Sequence, residues 1–271
     1  MSLLTEWVRY GGDGAYLGYL ARPARAQAHV PGVIVVQEIW GVDGHIQDVA
    51  RRIAQAGYVA LAPDLYAVNG ARPTAVAADR VERVKAFLNG LPPGAWGDAA
   101  QRDAALAKLP PAEAAAVSEA FGALFGGLRS ADHTPHLLAG VSYLRREQPA
   151  SRGEGVASVG FCMGGALSAL LACRDPELRG AAIFYGSAPP EDLLPRIQCP
   201  LIGFYGALDA RITEAAGPFA EALRRAGKSF ESHVYEGAHH AFFNDTRASY
   251  HIGAARDSFS RLLAFLVRTL G

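Results

Sequence analysis

Val156-Ala157-Ser158-Val159-Gly160-Phe161 runs into Cys162-Met163-Gly164-Gly165 and then into Ala166 to Ala172. The first six residues are small or apolar, the pattern of a strand buried on both faces. The residues from Ala166 onward predict the start of a helix. Between them, Gly-x-Cys-x-Gly marks a sharp strand-to-helix turn with a nucleophile at its apex. Gly160 and Gly164 stand two residues to either side of Cys162, where a side chain would collide with the neighbouring strand or helix. The following helix aims its positive end at the sulfur, which favours thiolate. A structural cysteine in a glycine-rich turn is the competing reading, and the strand–turn–helix context argues against it.

Working outward, the chain alternates strands with helices. Leu3 to Tyr10 and Ala15 to Ala21 flank Gly11-Gly12-Asp13-Gly14 and predict a hairpin. Val33 to Val36 and Tyr58 to Ala62 predict strands, with a helix from about 43 to 56 between them. Later strands are expected at Ala181 to Tyr185, Leu201 to Tyr205 and Phe230 to Tyr235. A helix from about Glu214 to Ala226, with Thr213 as N-cap, separates the last two, and 249–269 closes the chain as an amphipathic helix. Strand–helix–strand repetition of this kind gives a mostly parallel central sheet with helices on both faces, one α/β domain over residues 1–271. Residues 70–130 depart from the alternation. Helical pieces are expected near 73–89 and 111–125, broken by Pro92-Pro93-Gly94 and Pro110-Pro111, as an excursion able to cover a site. A helix from about 132 to 147 resumes the core pattern.

A thiol nucleophile needs a proton acceptor, and the acceptor needs an orienting group. With an elbow of this type the chain order is nucleophile, acid, histidine. Each partner belongs just past the C-terminal end of a strand. Asp209 follows the strand ending at Tyr205, and His239-His240 follow the strand ending at Tyr235. An aspartate after a strand also serves as a turn or cap residue. Spacing alone does not choose between the two histidines. His133 and His136 form His-x-x-His around Pro135, a poor metal motif. His29, His45, His233 and His251 read as surface residues.

The chain has 271 residues, half of them apolar and 19% charged, which excludes disorder. Lys+Arg and Asp+Glu each number 26, and no basic stripe marks a nucleic-acid surface. The first residues lack a signal-peptide pattern and no apolar run nears about 20 residues, so a cytoplasmic protein without a membrane span is expected. Cys162, Cys173 and Cys199 are an odd number without a CxxC pair. Cys162 and Cys173 on one helix would lie about 16 Å apart, beyond the ~7 Å a disulfide spans. Three free thiols are expected.

Five blocks together resemble the dienelactone hydrolase family of α/β-hydrolases, nearly end to end. They are Val35-Val36-Gln37-Glu38-Ile39-Trp40-Gly41, Ala62-Pro63-Asp64-Leu65-Tyr66, Gly160 to Gly165, Phe204-Tyr205-Gly206 through Asp209, and Gly237-Ala238-His239-His240-Ala241-Phe242. The resemblance implies a hydrolase of a small ester or lactone, working through a cysteine thioester with no cofactor or metal. It selects His240, which precedes a small residue and an aromatic, over His239. It gives Glu38 the role of taking the cysteine proton when substrate binds. It implies an oxyanion hole from the backbone N–H groups of Met163 and Ile39, and places Trp40 and Tyr185 as pocket candidates. The best-known members clamp a substrate carboxylate with two arginines. Arg72, Arg80, Arg83 and Arg211 are the candidates here, and none matches the family pattern. The same residues would serve a thioesterase or a cysteine peptidase, and a non-catalytic binding protein could retain the fold.

Overall fold

The structure, a computed structural model, describes residues 2–25, 28–92, 95–129 and 131–271. It forms two compact units: the chain up to Leu65 together with His133–Gly271, and Tyr66–Asp132. Pro93-Gly94, expected as part of a helix break, lies outside the described residues.

The larger unit is built on one sheet of eight strands. β1 (Leu3–Tyr10) and β2 (Tyr16–Pro23) form the expected antiparallel hairpin. β3 (Gly32–Val36), β4 (Val59–Pro63), β5 (Val156–Phe161), β6 (Ala181–Phe184), β7 (Leu201–Gly206) and β8 (Phe230–Tyr235) follow. The spatial order is β1-β2-β4-β3-β5-β6-β7-β8. β2 pairs antiparallel with β4, and every pairing from β4 to β8 is parallel. β3 to β7 are buried along their whole length, as their unbroken apolar composition predicts.

Alternate residues of these strands feed the two faces. Val33, Val35, Ala157, Val159, Phe161, Phe184 and Phe204 pack with α1 (Gly44–Gln55) and α8 (Ile252–Leu270) in the main core. The opposite face carries α5 (Thr134–Ser142), α6 (Met163–Arg174) and α7 (Ala210–Arg225). There Gly140 abuts Ile34 and Leu61, and the buried Ser158 and Ser168 hydroxyls pair at 2.7 Å. Asp43 caps α1 by accepting from the Ile46 N–H at 3.0 Å.

The smaller unit is helical, as expected for 70–130. It contains α2 (Ala78–Asn89), α3 (Ala99–Leu106) and α4 (Pro111–Ala123). Pro111 opens α4, where a missing N–H is tolerated. An Arg80–Glu119 ion pair links α2 to α4, and the Arg102 guanidinium lies over the Phe121 ring at 4.9 Å.

Three expectations need correction. α7 begins at Ala210, not Glu214, so Thr213 sits inside it and its hydroxyl donates to the Gly206 carbonyl at 2.6 Å. α6 begins directly after Cys162, so the turn is shorter than Cys162 to Gly165. His45 is buried, packed edge-on to Phe161 and Phe243 inside the first turn of α1.

Candidate active site

The elbow forms because β5 and α6 approach too closely for side chains. A Cβ on Gly160 would stand 1.8 Å from the Gly164 carbonyl oxygen, and one on Gly164 would stand 2.3 Å from the Val36 carbonyl oxygen. Cys162 between them has φ +56°, a conformation L residues avoid, at a typical cost of about 1–3 kcal/mol. Its backbone is held: its N–H donates to Phe184, and its carbonyl accepts from Gly165 at 3.0 Å. Three of the four positive-φ non-glycine residues among those described are Cys162, Tyr185 and Ala241, all on loops around this turn. Met163 is the first residue of α6, so its N–H has no acceptor within the helix.

The acid and histidine loops are tied together. Gly206 ends β7 against the Ala238 carbonyl, where a Cβ would stand 2.5 Å away. Ala207 N–H donates to Tyr235, and Leu208 N–H donates to Ala238, both at 2.9 Å. Asp209 stands at the N-cap position of α7, yet its side chain makes no capping bond. Its Oδ2 lies 2.5 Å from His240 Nδ1 instead. That answers the competing cap reading. His239 is exposed beside it, so the structure pairs His240 and not its neighbour with the acid.

His240 is also within electrostatic reach of Cys162. Burial disfavours charge on the ring. The hydrogen bond to Asp209, and the negative charge of Asp209 and Cys162, outweigh it and push the imidazole up to about 10. The other two cysteines are free, buried thiols. Burial pushes Cys173 up to about 11 and Cys199 to about 12, so both are poor nucleophiles.

Glu38 is 2% exposed and not a solvated loop carboxylate. Tyr185 Oη donates to its Oε1 at 3.2 Å, and Asn244 Nδ2 donates to its Oε2 at 2.8 Å. The loop bearing Glu38 is pinned by Gln37, whose Oε1 accepts the Leu65 N–H at 3.1 Å. Tyr185 is buried, its ring 5.1 Å from that of His240, and burial followed by the charges of Glu38 and Cys162 raises its phenol well above its ordinary value. Ile39 and Trp40 are buried in the same loop.

Sequence reading missed Asn244 and Arg247. The Arg247 guanidinium lies over the Trp40 ring at 5.2 Å. Burial lowers its pKa, while Glu38, Asp43 and Cys162, all within electrostatic reach, oppose that. Of the four arginines expected as carboxylate clamps, three belong to the smaller unit and one to α7. Arg80 pairs with Glu119, Arg83 faces Asp79 at 3.9 Å, Arg72 belongs to the smaller unit and Arg211 is exposed on α7. His136, from the His-x-x-His read as a poor metal motif, packs tilted against Tyr16 with ring centroids 4.5 Å apart, as a core ring.

A mostly parallel eight-stranded sheet, helices on both faces and a strand–cysteine–helix elbow define an α/β-hydrolase fold. The chain belongs to the dienelactone hydrolase family, whose sequence profile matches residues 17–270. It is a hydrolase of that family. A protein of Saccharolobus solfataricus, provisionally named a carboxymethylenebutenolidase, is 32% identical over 268 residues, covering 98% of this chain and 99% of the relative. A similarly named protein of Escherichia coli O157:H7 is 34% identical over 260 residues, covering 90% and 79%. A crystal structure provisionally described as a dienelactone hydrolase from Klebsiella pneumoniae superposes with a TM-score of 0.69 at 30% identity, over 98% of this chain and 99% of that one. Among the described residues, no helix is long and apolar enough to cross a membrane.

Proposed function

We propose that this hydrolase cleaves a small ester or lactone through a thioester on Cys162, with His240 as base and Asp209 as the group that orients it. The observation that carries the reading is the Asp209 carboxylate 2.5 Å from His240 Nδ1, on a ring within electrostatic reach of the elbow cysteine Cys162. His240 accepts the thiol proton. The thiolate adds to the substrate carbonyl carbon, and the carbonyl π electrons move to oxygen. The oxyanion lies against the N–H groups of Met163 and Ile39, a kind of contact in which each donor typically lowers the barrier by about 3 kcal/mol. Collapse expels the alkoxide, which takes the proton from the imidazolium. Water then gives a proton to His240, adds to the thioester carbon and expels the thiolate. Glu38 is the alternative acceptor of the thiol proton when substrate binds, as the family resemblance implies, and Tyr185 and Arg247 are within electrostatic reach of both groups.

Arg247 favours substrates that carry an acidic group near the scissile bond. It is a cation within electrostatic reach of Cys162, resting on Trp40. The test is a panel of activated esters and lactones, each as free acid and as methyl ester. Cys162→Ala should abolish turnover, and unchanged turnover overturns the reading. Arg247→Met should raise KM for the acids and leave the methyl esters alone. Equal effects on both overturn the substrate assignment.

A further inference from the structure

We infer that Asn244 is a positioning residue for Glu38, holding that buried carboxylate in its ionised, hydrogen-bond-accepting form. The inference rests on the reading of Glu38 as part of the site. Asn244 is fully buried, and its amide can face only one way. Its Oδ1 accepts from the Thr246 backbone N–H at 3.0 Å and from the Thr246 hydroxyl at 2.7 Å. A backbone N–H only donates, so the atom facing it must be the amide oxygen. The amide nitrogen therefore faces Glu38 and can only donate, at 2.8 Å. The Glu38 oxygen it meets must be an acceptor. Tyr185 supplies a donor to the second oxygen. Two neutral donors thus replace the water a buried carboxylate would otherwise need.

The turn that carries Asn244 is built for this placement. Ala241 takes φ +59°, and its carbonyl accepts the Asn244 N–H at 3.0 Å. This carries Asn244 from the His240 loop back to the β3 loop, joining residues 206 positions apart in the chain. Tyr185 and Arg247 lie within electrostatic reach of Glu38, and both also lie within reach of Asp43 and Cys162. Arg247 is its cationic neighbour, three residues past Asn244 on the same segment.

The test is Asn244→Asp, which keeps the acceptor for Thr246 and turns only the donor to Glu38 into an acceptor. Two carboxylates at this separation cannot both ionise at neutral pH, so the pair must take up a proton. Difference infrared spectra at pH 7 should show the carbonyl stretch of a protonated carboxyl that the wild type lacks. The acid limb of kcat/KM should move up by at least one pH unit. In the Glu38→Gln background the band should vanish, since one carboxylate remains. A folded N244D protein with no such band and an unmoved acid limb overturns the inference, as does a band that survives in the Glu38→Gln background. If N244D does not fold, Asn244→Ser removes the donor, and an acid limb unchanged from wild type overturns the inference. The infrared band needs no turnover, so it stands or falls separately from the Cys162→Ala test of the reaction.

Discussion

The Asp209 carboxylate sits where a helix cap belongs and does not cap. Its bond to His240 fixes the ring's Nδ1 side and leaves the other nitrogen for sulfur. Asp209→Asn keeps the shape and removes the charge that raises the imidazole pKa. The substitution should lower kcat by roughly 10³- to 10⁴-fold, the scale seen when such an orienting acid is neutralised. It should also slow Cys162 alkylation at neutral pH, because the imidazolium that stabilises thiolate is less populated. Alkylation at the wild-type rate would contradict the role of Asp209. At this scale the position just past a strand end picked out Cys162, Asp209 and the pair His239-His240, and the resemblance then chose His240, the ring that the structure sets against Asp209. Glu38 was legible only by resemblance. Asn244 and Arg247 were not, because they lie on an aperiodic loop that a positive-φ alanine and a Thr246 contact fold back on the site. Arg247 follows His240, whereas the family pattern places its arginines after the strand that ends in Pro63-Asp64-Leu65-Tyr66 and after Asp209.

Elements carry the site by bringing backbones closer than side chains permit. Val36, Gly160 and Gly164 meet at one point where β3, β5 and α6 converge. Gly160→Ala would place a methyl inside the Gly164 carbonyl, a backbone atom that cannot swing aside. Overpacking typically costs about 1–3 kcal/mol, and an obstacle made of backbone puts this case at the upper end or beyond. Thermal or urea unfolding should show a loss of about 3 kcal/mol or more, or no soluble protein, and a near-native midpoint would refute the steric account. The inner strands β3 to β7 were legible because their apolar runs are short, unbroken and bounded by Gly, Pro or charge. The start of α7 was not: Asp209-Ala210-Arg211 reads as loop, and Thr213 is the more familiar cap residue. α3 was missed because it has no buried face to give it a period.

Over the whole molecule, buried titratable groups set the pH window of stability from both sides. Burial, aided by His133, holds His136 down at about 4, although a backbone contact to Leu17 pulls upward. In the unfolded chain it titrates near 6.5. As pH falls from about 6.5 to 4, the unfolded chain takes a proton that the fold refuses, so stability drops. On the alkaline side the direction reverses in pH but not in logic. Cys173 and Cys199 stay protonated to about 11 and 12 in the fold, while unfolded thiols ionise near 8.5. His240 is raised to about 10, so its contribution is complete below about 6.5 and lost as pH rises through 10. Stability should therefore peak near pH 6.5, falling below it through His136 and above it first through His240 and then, beyond about 8.5, through the two buried thiols as well. Each proton of difference steepens the slope by about 1.4 kcal/mol per pH unit, so His136 alone accounts for up to roughly 3 kcal/mol by pH 4. His136→Phe keeps a ring packed against Tyr16 and removes the titration. Urea midpoints measured from pH 4 to 8 should then be flatter on the acid side than in the wild type, while the alkaline fall is unchanged. An acid slope as steep in the variant as in the wild type would place the acid sensitivity elsewhere in the fold.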